Sequence, residues 1–257
     1  MSETTSVKLK SVSFNYDQFC RLSEHEQILL ALLSYAISET NALWRVFVCA
    51  IQTTTGTVQV DQAVAVQRGV LLRTWSSKLF EFDKALKDLR QRPKIDPALK
   101  SFVDDMRSKL AGPDKTKIPK LVEEFRNEAG NHATVSAAKK NLDFLSKTAP
   151  LNMLFSDLEA NTVLPLGEEL FFAARYNRYL SETGKDRLSI DPFEEWLAWN
   201  QAATRELMAF IDEYLTTFVF KEKCHSEWEE IELHLSKVFA DSASGRQVPI
   251  FLKMETQ

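Results

Sequence analysis

The chain has few of the residues that interrupt helices. Its 257 residues include seven glycines and eight prolines, whereas alanine, leucine, glutamate and lysine are plentiful. The plentiful residues have high helix propensity, and a turn-rich β fold needs more glycine and proline. The composition therefore predicts an all-α protein, and the length allows either one large domain or two small ones.

Cysteine is also scarce. The three cysteines, Cys20, Cys49 and Cys224, are odd in number and far apart in the chain, which argues against a disulfide framework and favours a reducing compartment. Cys224, His225 and His234 lack the paired, close spacing of a zinc site. We therefore expect neither a metal ion nor another cofactor.

Long apolar stretches are absent from the sequence. No stretch approaches the roughly 18 apolar residues of a membrane span. The N-terminus is polar and does not resemble a signal peptide. We therefore expect a cytoplasmic protein with no membrane partner.

Charge is unevenly distributed along the chain, whose formal net charge is −4. Residues 84–126 hold 12 lysines and arginines against 7 aspartates and glutamates, and the remaining residues hold 20 against 29. A basic segment of this kind attracts phosphate groups, although a solvated charged surface produces the same pattern. The acidic remainder argues against broad binding to nucleic acid duplexes.

Apolar residues recur every three or four positions along most of the chain, which is the spacing of amphipathic helices. Ser23 and Glu26 fit a capping box at the start of the first long helix, and Asp96-Pro97 fits a helix start with proline in the first turn. The predicted helices span approximately residues 24–51, 59–92, 97–111, 119–149, 151–159, 168–181 and 192–220.

The predicted organisation has three consecutive parts. Residues 1–22 are expected to be an irregular lead-in, residues 23–150 a helical core, and residues 151–257 a helical extension packed on that core. Near the C-terminus, residues 228–235 partly alternate apolar and polar side chains, and residues 248–254 are short and apolar. These two segments predict a short terminal β-hairpin, and a helix is an equally good interpretation of the first.

Three side chains suited to RNA chemistry, Arg126, Asn127 and His132, lie close together in the motif segment, residues 118–147. The apolar spacing around them predicts that His132 lies on the buried face of a helix, one turn past the Arg-Asn pair. The stripe consists of Leu121, Phe125, Ala129, His132, Val135, Ala138, Leu142 and Leu145.

These residue types match the needs of RNA cleavage without a metal ion. A histidine with a pKa of about 6.5 can exchange protons with a ribose 2′-OH or a leaving oxygen at neutral pH, which suits His132. Arg126 stays charged and can bind phosphate oxygens in a bidentate way. Asn127 can hydrogen-bond the ribose or the phosphate, or it can orient the histidine.

The pattern Arg126-Asn127 followed by His132, in a helical chain, resembles the motif of the HEPN family (higher eukaryotes and prokaryotes nucleotide-binding domain). The resemblance covers approximately residues 23–150. It implies an antiparallel helical bundle and a metal-independent endoribonuclease that leaves a 2′,3′-cyclic phosphate and a 5′-hydroxyl. It also implies a toxin or defence effector, whose partners would be an RNA substrate and a neutralising, antitoxin-type protein.

The spacing between Arg126 and His132 restricts how the two side chains can contact the same phosphate. On a straight helix, Arg126 and His132 are rotated by about 240° and separated by about 9 Å along the axis, so they would not reach one phosphate. Either the chain bends near Gly130, or two copies bring their motifs together; the resemblance implies a dimer with a composite cleft, so we predict a homodimer. The alternative function is a noncatalytic helical interaction or nucleotide/RNA-binding module, in which His132 is an ordinary core residue and the motif is structural.

Overall fold

The computed structural model describes residues 4–12, 15–50, 55–111, 122, 134–149, 151, 153–155, 162–183, 192–220 and 229–236. The helices in these ranges are α1 (Tyr16–Cys20), α2 (Glu24–Cys49), α3 (Val58–Arg90), α4 (Pro97–Leu110), α5 (Val135–Leu142), α6 (Pro165–Glu168), α7 (Ala174–Thr183) and α8 (Pro192–Tyr214). Two π-helical turns follow α6 and α8, at Glu169–Ala173 and Leu215–Phe220. The strands are β1 (Thr4–Ser11) and β2 (Glu229–Ser236). The predicted all-α helical bundle is confirmed, because helices account for nearly all regular structure in the described ranges.

Side-chain caps fix the starts of α2 and α4 as the sequence predicts. The Ser23 backbone N–H donates to Glu26 Oε2 at 2.7 Å, and the Glu26 N–H donates to Ser23 Oγ at 3.4 Å. Asp96 Oδ1 accepts from the backbone N–H groups of Ala98 and Leu99 at 2.8 and 3.2 Å. Each cap satisfies donors that the first helical turn leaves without a partner, so local chemistry sets these boundaries.

Strand β1 lies where the sequence predicts an irregular lead-in, and it pairs antiparallel with β2. Lys8 lies opposite Glu232 and Leu9 opposite Ile231. The strand interpretation of the C-terminal segment is thus confirmed, but its partner is the N-terminal strand. The second segment of the predicted terminal hairpin, residues 248–254, lies outside the described residues. Alternation along one segment favours a strand, whereas the choice of a distant partner is a tertiary contact that the segment does not encode.

The single helix predicted through the motif segment is interrupted, so that prediction is wrong in its second half. Thr134 has an extended backbone (φ −109°, ψ 153°), and its Oγ1 accepts from the Ala137 N–H at 3.1 Å, so α5 starts as a separate helix. Val135 and Leu142, expected on the buried stripe, are 88% and 57% exposed, whereas Ala137 and Asn141 are buried. A threonine cap competes with the continuing helix for backbone donors and resets the helical phase.

The helix predicted for residues 151–159 is also wrong in its described part. Leu154 forms an isolated antiparallel bridge with Val163, and both backbone hydrogen bonds are 2.8 Å long. Helical structure resumes at Pro165 and runs through the first π-helical turn and α7 to Thr183. Proline suits the first helical position, because its fixed φ is helical and its missing N–H costs nothing there.

The chain divides into two compact units, and each is assembled from separate stretches. Unit 1 contains Met1–Cys49, Glu81–Leu110 and Ala203–Gln257, and unit 2 contains Ala50–Phe80 and Ala111–Ala202. The long helices α3 and α8 each contribute residues to both units. The three consecutive parts expected from the sequence stay a prediction, since compositional boundaries follow chain order whereas compact units follow spatial contacts.

The core of unit 1 is rich in leucine and aromatic side chains. Phe102 of α4 meets Phe210 of α8 edge to face, with ring centroids 5.6 Å apart and an interplanar angle of 86°. The buried Tyr214 hydroxyl donates to the Glu26 carbonyl at 2.8 Å, which joins α8 to the first turn of α2. Other buried members of this core are Leu29, Leu33, Phe47, Leu86, Leu99, Met106 and Leu207.

The core of unit 2 combines apolar packing with a buried polar network. Trp196 of α8 is buried and stacks on Phe172, with centroids 5.7 Å apart. Its indole Nε1–H donates to the Ser76 hydroxyl. Ser76 Oγ also lies 3.0 Å from Asn200 Oδ1 and 2.9 Å from the Leu72 carbonyl oxygen. These contacts fix the part of α3 that belongs to unit 2 against the start of α8.

Candidate functional site

The residues predicted from the motif, Arg126, Asn127 and His132, lie outside the described residues. The nearest described positions are Val122, which is buried, and Thr134. Helix α5 begins three residues after His132 in the sequence, and it carries Lys139 and Lys140, both exposed.

The described part of unit 2 contains an open cavity of about 630 Å³. This volume is in the range of small-molecule sites, which is roughly 300–1,000 Å³. The cavity lies between the first turns of α3, the segment from α6 through the π-helical turn, and the start of α8. Its apolar wall consists of Val58, Ala65, Val66, Pro165, Phe172 and Ala173.

Charged side chains complete the lining of the cavity. Four of them are carboxylates and one is a guanidinium: Asp61, Glu168, Glu169, Glu194 and Arg68. Asp61 Oδ1 accepts from the Thr55 backbone N–H at 2.9 Å and from the Thr55 hydroxyl at 3.0 Å. Asp61 therefore holds the segment before α3 against the rim of the cavity.

A bidentate ion pair borders the cavity. Arg73 Nη1 lies 2.6 Å from Glu168 Oε2, and Arg73 Nη2 lies 2.6 Å from Glu168 Oε1. The guanidinium carbon also lies 5.4 Å from the centroid of the Phe172 ring. Because both hydrogen bonds are charge-assisted and parallel, this pair fixes α6 on α3 with a defined geometry.

Gly69 makes space for this ion pair on the surface of α3. A Cβ atom at this position would lie 3.3 Å from Arg73 Nη1 and 3.3 Å from Glu168 Oε2. Glycine inside a helix costs about 1 kcal/mol relative to alanine. Glycine at this position therefore avoids a tight contact with the ion pair, on the longest of the described helices.

Glu169 lies in the π-helical turn at the wall of the cavity. Partial burial raises the pKa of its carboxyl group above the ordinary value, and the negative charge of the adjacent Glu168 raises it further. π-Helical turns occur frequently at functional sites, and a carboxyl group with a shifted pKa in a concave site is typical of ligand-binding or catalytic positions.

Among the described residues, no group of three or more histidine, cysteine, aspartate or glutamate side chains is placed to hold a metal ion. None of the described helices combines the length and the apolar character needed to cross a membrane.

Comparison of the chain with protein-family models, with curated proteins and with solved structures finds no match. The sequence analysis did not identify the cavity, because its walls come from segments about one hundred residues apart in the chain. One local signal was present: Gly69 and Arg68 interrupt the otherwise apolar face of the predicted helix at residues 59–92.

Proposed function

We propose that this protein is a metal-independent endoribonuclease of the HEPN type, acting on RNA through Arg126 and His132. The observation that carries the proposal is the Arg126-Asn127 and His132 motif in a chain whose described residues form a helical bundle. An all-α fold is what the resemblance requires, and the scarcity of helix-breaking residues agrees with it.

The proposed reaction uses three groups. His132 removes the proton of a ribose 2′-OH or protonates the leaving 5′-oxygen, because histidine as a residue type has a reference pKa close to neutral pH. Arg126 stabilises the negative charge that builds up on the phosphate, and Asn127 positions the ribose or the imidazole. The products are a 2′,3′-cyclic phosphate and a 5′-hydroxyl.

The described residues next to the motif support an anionic substrate. Helix α5 starts at Thr134, and the first turn of a helix carries partial positive charge from backbone N–H groups that lack helical partners. The exposed Lys139 and Lys140 add positive charge to the same short helix. Positive charge thus follows the motif closely in the sequence.

We also propose that the active form is a cytoplasmic homodimer. On a straight helix, Arg126 and His132 would be rotated by about 240° from each other. Two facing motifs supply both groups to one phosphate without a bend between them. As a toxin or defence effector, the enzyme would be restrained by an antitoxin-type protein partner, and its mass in solution should be that of two chains.

The decisive experiment is RNA cleavage in the presence of a chelator. The wild type should cleave single-stranded RNA and leave a 2′,3′-cyclic phosphate. His132→Ala removes the acid–base group and Arg126→Ala removes the group that stabilises the phosphate charge, so each should lower the rate by about 100-fold or more. His234→Ala, which removes an exposed histidine on β2, is the matched control and should retain full activity.

Another result would favour the noncatalytic alternative. If His132 is a buried structural residue, His132→Ala should lower the free energy of unfolding by about 1–3 kcal/mol, because a buried polar network loses a member. A wild type without nuclease activity, combined with this loss of stability, would reject the enzyme and support a helical interaction or nucleotide/RNA-binding module.

A further inference from the structure

We propose that the cavity of unit 2 binds an aliphatic diamine or polyamine, a function beyond the proposed nuclease activity. The proposal rests on the shape of the cavity and on the charges that line it. A volume of about 630 Å³ accommodates a small organic ligand, and the wall from Val66 to Phe172 offers apolar surface for a methylene chain.

The charges of the lining select a cation. The Arg73 guanidinium neutralises Glu168 through the two 2.6 Å hydrogen bonds. Glu169 and Glu194 line the cavity from two different elements, and neither has an ion pair with another described residue. Burial raises the pKa of the Glu169 carboxyl group, and the negative charge of Glu168 raises it further. A positively charged ligand beside Glu169 would stabilise the charged form of this carboxyl group.

The arrangement of these carboxylates favours an extended cation over a metal ion. The described carboxylates do not converge in a group of three that could surround one ion. A diamine or polyamine carries its positive charges several ångströms apart, so it can contact separated carboxylates while its methylene groups lie on the apolar wall. Phosphate-bearing ligands are disfavoured, since the described residues that line this cavity include four carboxylates and a single guanidinium, that of Arg68.

The test is isothermal titration calorimetry of the full-length protein with spermidine at low salt. Spermidine should bind the wild type with a dissociation constant below 1 mM, a conventional limit for specific small ligands. Glu169→Gln and Glu194→Gln should each weaken binding by roughly tenfold or more, the loss of one charged hydrogen bond. Succinate, a dianion of similar length to a diamine, should not bind.

Two matched variants distinguish spermidine binding in the cavity from nonspecific attraction of a polycation to an acidic protein. Asp212→Asn removes the same charge from an exposed position of unit 1 and should leave spermidine binding unchanged. Ala65→Phe changes no charge but places a ring in the cavity from an exposed position of its wall, and it should abolish binding. Circular dichroism of each variant confirms folding.

The proposal is overturned by any of three results. These are no binding of spermidine to the wild type, equal weakening by Asp212→Asn and Glu169→Gln, or unchanged binding in Ala65→Phe. Because Arg126 and His132 are unaltered in every variant, the outcome is independent of the nuclease assay.

Discussion

Replacing Ser76 by alanine tests the polar network in the core of unit 2. The Ser76 hydroxyl accepts the indole N–H of Trp196 and contacts the Asn200 side chain and the Leu72 carbonyl, and all three polar side chains are buried. Without the hydroxyl, the Trp196 N–H loses its acceptor at a cost of about 1–3 kcal/mol, and the lost contact with Asn200 adds about 1 kcal/mol. Alanine has a higher helix propensity than serine, which offsets about 0.5 kcal/mol of this loss. The expected loss in the free energy of unfolding is therefore about 1.5–3.5 kcal/mol.

The matched control for this prediction is Ser77→Ala, one position along the same helix. Ser77 is half-buried, so its replacement gains the same propensity without breaking the network. Both variants are compared by urea denaturation followed by circular dichroism. A double-mutant cycle with Trp196→Phe should show coupling of about 1 kcal/mol, because phenylalanine lacks the N–H that Ser76 accepts. If Ser76→Ala and Ser77→Ala differ by less than about 0.5 kcal/mol, the network does not stabilise the unit as argued.

For two further substitutions, the structure determines whether the stability of the protein should rise or fall. Glu169→Gln should raise the melting temperature at neutral pH while it weakens spermidine binding. Burial and the charge of Glu168 raise the pKa of Glu169 in the folded state. The stability contributed by its protonated form is therefore lost as the pH rises through the carboxyl range. In melting curves from acid to neutral pH, the difference in melting temperature between Glu169→Gln and the wild type should grow with pH. Tyr214→Phe should lower the free energy of unfolding by about 1–2 kcal/mol, because the buried Glu26 carbonyl loses its hydroxyl donor, as measured by urea denaturation.

These two predictions have their own controls. Glu194→Gln removes the same charge from a more exposed position on the wall of the same cavity. An equal gain in melting temperature for Glu194→Gln and Glu169→Gln would contradict the role of burial. For Tyr214, the control is Tyr35→Phe, since the Tyr35 side chain is exposed. Equal effects at both tyrosines would show that the buried hydrogen bond contributes little.

The helical segments were predictable because their signals are local. Ser23 with Glu26, and Asp96 with Pro97, identify helix starts from residues within one turn, and the periodic apolar spacing predicts the long helices that follow. The same local reasoning failed at Thr134, where a cap and an amphipathic stripe compete. Only the structure shows that the cap determines the phase of α5, leaving Leu142 exposed.

The two candidate sites also differ in whether they can be recognised from local sequence. A motif such as Arg126, Asn127 and His132 can be read from adjacent residues, and its catalytic role stays a prediction that the RNA assay tests. The cavity required coordinates, because Gly69 and Glu169 become neighbours only when α3 and the π-helical turn pack together.

The sequence by itself determined that this chain is helical and where most of its helices begin, because hydrogen bonds within a helix and side-chain caps join residues a few positions apart. The tertiary structure alone decided that β1 pairs with β2, that the compact units take alternate stretches of the chain, and that an acidic cavity forms in unit 2. These features depend on contacts between distant segments, whose energies are set by complementary shape and charge after the helices pack.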